Sequence, residues 1–564
     1  MTDTRSVAYF SMEIGLRSEM PTYAGGLGVL AGDTLRSAAD LHMPLVAVTL
    51  LHREGYFRQS FDPPGHQREE PAKWAVQNFT RETPARVKVG IEGRDVIVRA
   101  WKLEIVGAGK QTVPIYFLDT GLDDNTEWDR QLTHRLYGGD NHYRLCQEIV
   151  LGIGGVRILR ALGYHDIARF HMNEGHAAML GLELLNERLG DRDPEDMTEA
   201  DVHAVREHCV FTTHTPVPAG HDQFPADDVA RVVKPRELAL INKLGLLNGS
   251  LNMTHLAMRL SDRVNAVAMR HGEVSRKLLS TEDVDAITNG VHPPTWVAPE
   301  IADLFDRYAE GWRNDGFQLR FALRIPKHEL WAAHDLAKQR LLSFVSKTTG
   351  VTMDPEAYTI GFARRAAGYK RADLIFEDIE RLKRIAHSGG PFQLLFAGKA
   401  HPSDMGAKDL IKRVFNAREK LKDIVRVAYV PDYDMHVCAL MVAGVDLWLN
   451  NPKPPLEASG TSGMKAAMNG IPSLSVLDGW WIEGCIEGVT GWAIGEDEPD
   501  SETANTPAAT AAVIYQKLEH LILPMFHRER DRYIEVMRHA IAVNGPQFST
   551  RRMMMEYATR MYFH

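Results

Sequence analysis

Glu457-Ala-Ser-Gly-Thr-Ser-Gly-Met-Lys465 places an acid, a run of small residues and an amine within nine positions. A buried lysine can condense with an aldehyde to form a Schiff base. The glycine, serine and threonine ahead of it leave backbone N–H groups free to hold an anion. Glu457, eight positions upstream, adds a hydrogen-bonding carboxylate. Taken alone, the same segment also reads as a plain strand-to-helix loop with an exposed lysine.

Other segments carry comparable groups. Ala363-Arg-Arg-Ala-Ala-Gly-Tyr-Lys-Arg371 holds four cations in eight residues, just after the apolar run Tyr358–Ala363. Such a run is often a solvated face, but fixed cations at a strand end could also offset the repulsion between two adjacent phosphates. Tyr23-Ala-Gly-Gly-Leu-Gly28 is expected to open a helix with its N–H groups toward an anion, yet it lacks dinucleotide-binding spacing. His171-Met-Asn-Glu-Gly-His176 is not a metalloprotease motif, because its histidines are five apart. No metal site is expected there, and a hydrogen-bonding histidine is. The histidine of Thr212-Thr-His-Thr-Pro216 reads as structural. Thr288-Asn-Gly-Val-His-Pro-Pro-Thr-Trp296 offers an amide and an aromatic face, suited to a sugar hydroxyl or a planar cofactor. No serine-hydrolase order, paired-carboxylate hydrolase pattern or P-loop appears.

The elements that must position these groups alternate along the chain. Val7–Phe10, Leu45–Leu51, Pro114–Leu118, Ala168–His171, Cys209–Thr213 and Val264–Met269 read as buried strands. Amphipathic segments such as Asp33–Leu41, Tyr143–Leu162 and Gly175–Arg188 lie between them. After a pause at Pro293–Gln318, strands resume at Tyr358–Ala363, Phe392–Ala397, Val425–Val430, Asp446–Leu449 and Ser473–Val476. This is an α/β chain with two doubly wound Rossmann-like domains, expected to face a central cleft. The boundaries are set at 1–300, 301–540 and a terminal segment 541–564 packing back on the N-terminal domain. Glu496–Pro507 reads as a surface loop, with helices at Ala508–Leu523 and Asp531–Val543.

The 564 residues exceed a single core, consistent with that division. A net charge of −9 argues against a general nucleic-acid or anionic-membrane binder. Cys146, Cys209, Cys438 and Cys485 are widely spaced and read as buried thiols of a cytoplasmic protein. No membrane span or signal peptide is read.

Taken in order, several of these clusters resemble the α-glucan phosphorylases, retaining glycosyltransferases that depend on pyridoxal 5′-phosphate and include glycogen and maltodextrin phosphorylase. The likeness runs through Gly25–Gly28, Asn173–His176, Asn252-Met-Thr-His-Leu256, Val264–Glu273, Thr288-Asn-Gly290 with Trp296, and Tyr369-Lys-Arg371. It continues through Gly398-Lys-Ala400, Glu457–Lys465, Asn469-Gly470 and Leu477-Asp-Gly479. The resemblance implies a GT-B fold and conversion of an α-1,4-glucan and inorganic phosphate into α-D-glucose 1-phosphate. It makes Lys465 the Schiff-base lysine. Thr461, Ser462, Gly25, Gly26 and Arg364 then face the cofactor phosphate, with Tyr433 and Trp296 lining its surroundings. Arg365 and Lys370 grip the substrate phosphate. His176, Asn289, Glu457, Ser459, Gly460 and Leu27 hold the sugar, His176 beside the reacting centre. The family is commonly dimeric, so a homodimer is an expected partner. The effector and phosphorylation regions of regulated members have no counterpart, which implies no activation by AMP.

Two departures stand out. Gly463 and Ala466 flank Met464-Lys465 where the family commonly has asparagine and phenylalanine, and Asp434 stands where many members place an arginine near the cofactor phosphate. A nucleotide-sugar-dependent glycogen or starch synthase of the same fold is the alternative activity. A catalytically idle glucan-binding scaffold is the third reading.

Overall fold

Continuous apolar runs become the inner strands of two largely parallel sheets, one in each of two compact units. A computed structural model of the chain describes residues 6–217, 220–495 and 506–563. Met1–Phe57, Pro71–Ile287 and Met553–His564 make up the first unit, and Arg58–Glu70 with Thr288–Arg552 the second. The division therefore falls at 287/288 and 552/553, whereas the sequence reading drew it at 300/301 and 540/541. The sequence reading also left Arg58–Glu70 in the first unit.

The sheet of the first unit has nine strands. From one edge their order is Asp285–Ala286, Arg263–Ala266, Cys209–Thr212, Arg169–Asn173, Val7–Ser11, Leu45–Leu50, Thr112–Asp119, Arg94–Val106 and Arg81–Ile91. Pairing is parallel up to Thr112–Asp119 and antiparallel over the last two strands. Alternate residues enter different cores. Ala8, Phe10, Val46 and Val48 pack on one face, while Val7, Tyr9, Leu45 and Ala47 pack on the other. Burial on both faces is why these strands read as unbroken apolar runs. The antiparallel hairpin turns through Glu92-Gly93, both with positive φ, the conformation a two-residue hairpin requires.

Met553, Met554, Tyr557, Met561 and Tyr562 of the terminal segment belong to the second of those cores. The Nδ1 of His171 lies 2.6 Å from the Tyr562 hydroxyl, and Asn265 donates to the Tyr557 hydroxyl at 2.9 Å.

The second unit has six parallel strands in the spatial order Arg426–Val430, Phe392–Ala397, Tyr358–Ala363, Leu447–Asn450, Ser473–Val476 and Gly491–Ile494. In chain order this is 3-2-1-4-5-6, the doubly wound arrangement. Its switch point lies between Tyr358–Ala363 and Leu447–Asn450, and loops leaving their carboxyl ends are where ligands bind in such sheets. The hairpin strand pair Phe57–Phe61 and Gln67–Pro71 lends residues to this unit. Gln59 Nε2 donates to the Gly398 carbonyl and Gln67 Nε2 to that of Ala400, each at 2.8 Å. Within the expected pause, proline starts two short helices, Pro293–Trp296 and Pro299–Tyr308. Lys327–Thr349 then runs 23 residues and ends at Gly350 in the left-handed conformation. Helices at Pro507–Lys517 and Arg530–His539 follow. The loop read at Glu496–Pro507 lies outside the described residues up to 505. Among the described residues no helix is long and apolar enough to cross a membrane, and none of the four cysteines forms a disulfide.

Candidate functional site

In the second unit the loops from the two switch-point strands meet through their side chains. The loop after Tyr358–Ala363 contributes Arg364 and Lys370, and the loop after Leu447–Asn450 contributes Glu457. The buried Glu457 carboxylate accepts from Arg364 Nη2, and Lys370 Nζ lies 3.3 Å from both of its oxygens. Burial alone would raise this carboxyl, but Arg364 and Lys370 outweigh it and hold it below its ordinary value. The Nε and Nη1 of Arg364 are buried without a hydrogen-bond partner. This guanidinium thus keeps donors for another acceptor.

Backbone geometry fixes the cations. Gly398 has φ +146°, and a Cβ there would lie 2.0 Å from the Arg364 carbonyl oxygen. Gly398→Ala should therefore destabilise the second unit by about 2 kcal/mol and displace Arg364. A lower denaturation midpoint with weakened anion binding checks this, and a wild-type midpoint contradicts it. Arg371 turns away from the cluster: Nε and Nη2 donate to the carbonyls of Asn451 and Pro452, each at 2.8 Å. Arg365 is exposed and forms no ion pair with a described residue. Two of the four cations in the run therefore converge on Glu457, and two do not.

The lysine segment is equally constrained. Gly460, at φ +89°, precedes the helix Thr461–Met468, whose first N–H groups lack intrahelical acceptors. The Trp480 indole lies over this turn, and a Cβ on Gly463 would meet it at 2.7 Å. The glycine in place of the family's asparagine thus admits the indole. Glu457 N–H donates to Asp478 Oδ2 at 2.9 Å and Trp480 N–H to the Ser459 carbonyl at 2.8 Å, which pins the loop. Lys465 is buried, and its Nζ lies 3.8 Å from the centroid of the Trp296 ring. It pairs with no carboxylate among the described residues. Ser462 Oγ accepts from Trp448 Nε1 at 3.2 Å and keeps its proton to donate. Ser459 Oγ and Asn289 Oδ1 are buried without hydrogen-bond partners. Thr461 and Tyr433 are half-buried. Asp434 is the N-cap of Met435–Gly444 and accepts from Val437 N–H at 2.8 Å. Its carboxylate is thereby used in the helix start, which accounts for an acid at this position.

In the first unit, Gly25 caps the helix Gly26–Asp40, and Glu13 occupies part of the anion nest expected there. Its Oε2 accepts from Ala24 N–H at 2.5 Å and Gly25 N–H at 3.2 Å, and its Oε1 from the Tyr137 hydroxyl at 2.8 Å. Gly26 is exposed and Leu27 half-buried. His176 Nε2 lies 3.4 Å from Asp222 Oδ2, and its buried Nδ1 has no partner. Arg144 Nη2 bonds the same Asp222 oxygen at 3.0 Å, and its Nε reaches Glu148 at 3.1 Å. Burial, reinforced by Arg144, lowers the His176 ring to about 3, so it is neutral at pH 7. Burial and then Asp222 push the Glu148 carboxyl well up, against the opposing pull of Arg144. Sequence reasoning missed Glu13, Tyr137, Arg144, Glu148 and Asp222. The only signal was an Arg-to-Glu pair four apart within an apolar helical pattern.

Comparison with known proteins bears on both units. A family model described as carbohydrate phosphorylase matches residues 242–498. A maltodextrin phosphorylase of Thermococcus litoralis is 40% identical over 99% of this chain and 70% of its own. Glycogen phosphorylases of Aquifex aeolicus and Mycobacterium tuberculosis are 37% and 36% identical over 100% and 99% of this chain, covering 86% and 70% of their own lengths.

Proposed function

Because the chain belongs to the carbohydrate phosphorylase family, we propose that it is an α-glucan phosphorylase of GT-B fold. It transfers glucosyl units from an α-1,4-glucan to inorganic phosphate with retention, giving α-D-glucose 1-phosphate. The observation that carries this reading in the second unit is Lys465, a buried amine with no acid partner among the described residues, in the segment whose Glu457 gathers Arg364 and Lys370. An amine so placed suits condensation with an aldehyde, whereas a nucleotide-sugar synthase needs no such cofactor.

The residues present fit pyridoxal 5′-phosphate. Within the second unit Lys465 would hold it, with Trp296 and Tyr433 beside it and Thr461, Ser462 and Arg364 toward its phosphate. When bound, that group supplies a phosphate whose second pKa near 6 makes it an effective acid–base at neutral pH. The protein's own residues do the rest. Lys370 holds the attacking phosphate and offsets anionic repulsion, and the exposed Arg365 joins it only by swinging in from solvent. Lys370 can then exchange the Glu457 carboxylate for a phosphate oxygen. In the second unit Glu457, Ser459, Gly460 and Asn289 offer polar contacts to a glucosyl unit; in the first, neutral His176 can offer a sugar a hydrogen bond without a charge that would oppose an oxocarbenium-like state. A cytoplasmic setting suits four cysteines that form no disulfide among the described residues.

Phosphate-dependent release of glucose 1-phosphate from maltodextrin by the purified, cofactor-loaded protein tests the reading. Transfer from UDP- or ADP-glucose without cofactor would establish the synthase instead. Since His176 stays neutral over the working range, His176→Asn should lower kcat about tenfold or more without moving the acidic limb of its pH profile. A displaced limb would show that His176 titrates during turnover.

A further inference from the structure

Asn289 is 2% exposed, and its side-chain oxygen is held without a partner. Something must set its direction, and that something lies 263 positions later in the chain. Arg552 Nη2 donates to the Asn289 carbonyl at 3.0 Å while its Nε donates to the Gln547 carbonyl at 2.7 Å. One planar guanidinium therefore spans two backbone segments. The segments also pair directly: Val291 N–H donates to Phe548 O at 2.9 Å, and Thr550 N–H to Val291 O at 3.0 Å. Between these bonds Gly290 lies so close to its neighbour that a Cβ would meet the Ser549 carbonyl carbon at 2.3 Å. On the upstream side Thr288 Oγ1 donates to Glu483 at 2.7 Å. The turn Thr288–Val291 is thus clamped at both ends, and Arg552 supplies the clamp at Asn289 itself.

We propose that Arg552 is a positioning residue for glucan binding: by fixing the Asn289 backbone, it aims the Asn289 amide at a sugar hydroxyl. The proposal rests on the sugar-binding role given to Asn289 above. Arg552 touches no reacting atom in this scheme and acts only through Asn289. The fork geometry matters, since two carbonyls are held by two differently directed N–H groups. A lysine carries all its donors on one nitrogen and cannot occupy both the Nε and the Nη2 positions.

The same segment bears on the lysine turn by a separate contact. The Phe548 ring meets Trp480 edge-on with centroids 4.7 Å apart, and Trp480 covers Gly463. Arg552 is not part of that contact, so its loss should spare cofactor retention.

The test compares wild type, Asn289→Ala, Arg552→Ala, Arg552→Lys and the Asn289→Ala/Arg552→Ala double variant as cofactor-loaded proteins. Arg552→Ala should raise the KM for maltodextrin about tenfold, with cofactor content and the KM for phosphate within about twofold of wild type. Arg552→Lys should recover little of that loss. In the Asn289→Ala background the Arg552 substitution should cost less than about twofold, because the residue it acts through is gone. Wild-type glucan kinetics in Arg552→Ala, or fully additive losses in the double variant, overturns the proposal. If wild type shows no phosphorolysis, the functional reading above fails, and hydrogen exchange at the Val291 amide decides the clamp. Exchange at least about tenfold faster in Arg552→Ala supports it, and unchanged exchange removes it.

Discussion

Lys465→Ala is expected to lose pyridoxal phosphate and phosphorolysis together, with activity down by at least about 10³-fold, or about 4 kcal/mol of barrier. The fold should survive. Alanine is the best helix former at the middle of Thr461–Met468, and Asn469 Nδ2 bonds the residue-465 carbonyl at 3.0 Å whatever the side chain. The contact of Nζ with Trp296 contributes about 2 kcal/mol when desolvated, and losing it is offset by no longer burying an unpaired amine. A shift of only a few degrees in the melting midpoint should therefore accompany the loss of activity. Lys465→Arg separates the two properties of the lysine. It keeps the positive charge near Trp296 but has no amine free to condense, so it should be as inactive as the alanine variant. The measurements are cofactor absorbance after gel filtration, borohydride trapping on the peptide containing position 465, and release of glucose 1-phosphate. Full activity in either variant would refute the assignment of Lys465.

What the sequence made legible follows from how each element meets solvent. All eleven strands read in advance overlap strands of the two largely parallel sheets, and most of their residues are buried. Arg81–Ile91 and Arg94–Val106 were missed because they form an antiparallel edge whose inward residues alternate with charge. Gly491–Ile494 is only four residues long and starts with glycine. The same limit applies at the site. The run Arg364–Arg371 announces cations but not which of them turn inward, and tertiary contacts divide Arg364 and Lys370 from Arg365 and Arg371. Asp434 looked like a charge conflict when aligned with a family pattern. Read as the residue before a helix, it is a favourable N-cap, and that local signal was available. Glu13, Tyr137, Arg144, Glu148 and Asp222 form a partly buried polar network assembled from distant segments, which leaves no periodic trace in one sequence.

Asp446→Ala should be the most destabilising single substitution in the second unit, at about 3–5 kcal/mol. Both Asp446 and Lys338 are buried, and Lys338 Nζ lies 2.7 Å from Asp446 Oδ2. His334 Nε2 lies 2.8 Å from the other oxygen, and Thr359 N–H donates to Oδ2 at 2.7 Å. The carboxylate therefore joins the helix Lys327–Thr349 to the starts of the two switch-point strands. Removing it leaves the buried Lys338 ammonium with the Ala357 carbonyl, 2.8 Å away, as its one hydrogen-bond acceptor among the described residues, and the Phe526 ring 5.6 Å off. Replacing both partners, as in Lys338→Met/Asp446→Leu, removes the stranded charge and should recover much of the loss. Acid makes the same case with a defined sign. Burial would raise the Asp446 carboxyl, but Lys338 and His334 outweigh it and bring it to about 2. A folded value below the unfolded one contributes stability that is fully present above about pH 4 and lost as pH falls through about 2, amounting to about 2–3 kcal/mol. Wild type should lose this increment between those limits, and the double variant should not. Because the cluster lies at the amino ends of strands whose carboxyl ends carry Arg364 and Glu457, folded Asp446 variants at low temperature should keep near-normal KM for phosphate. A large KM change without loss of stability would place Asp446 in the binding machinery instead.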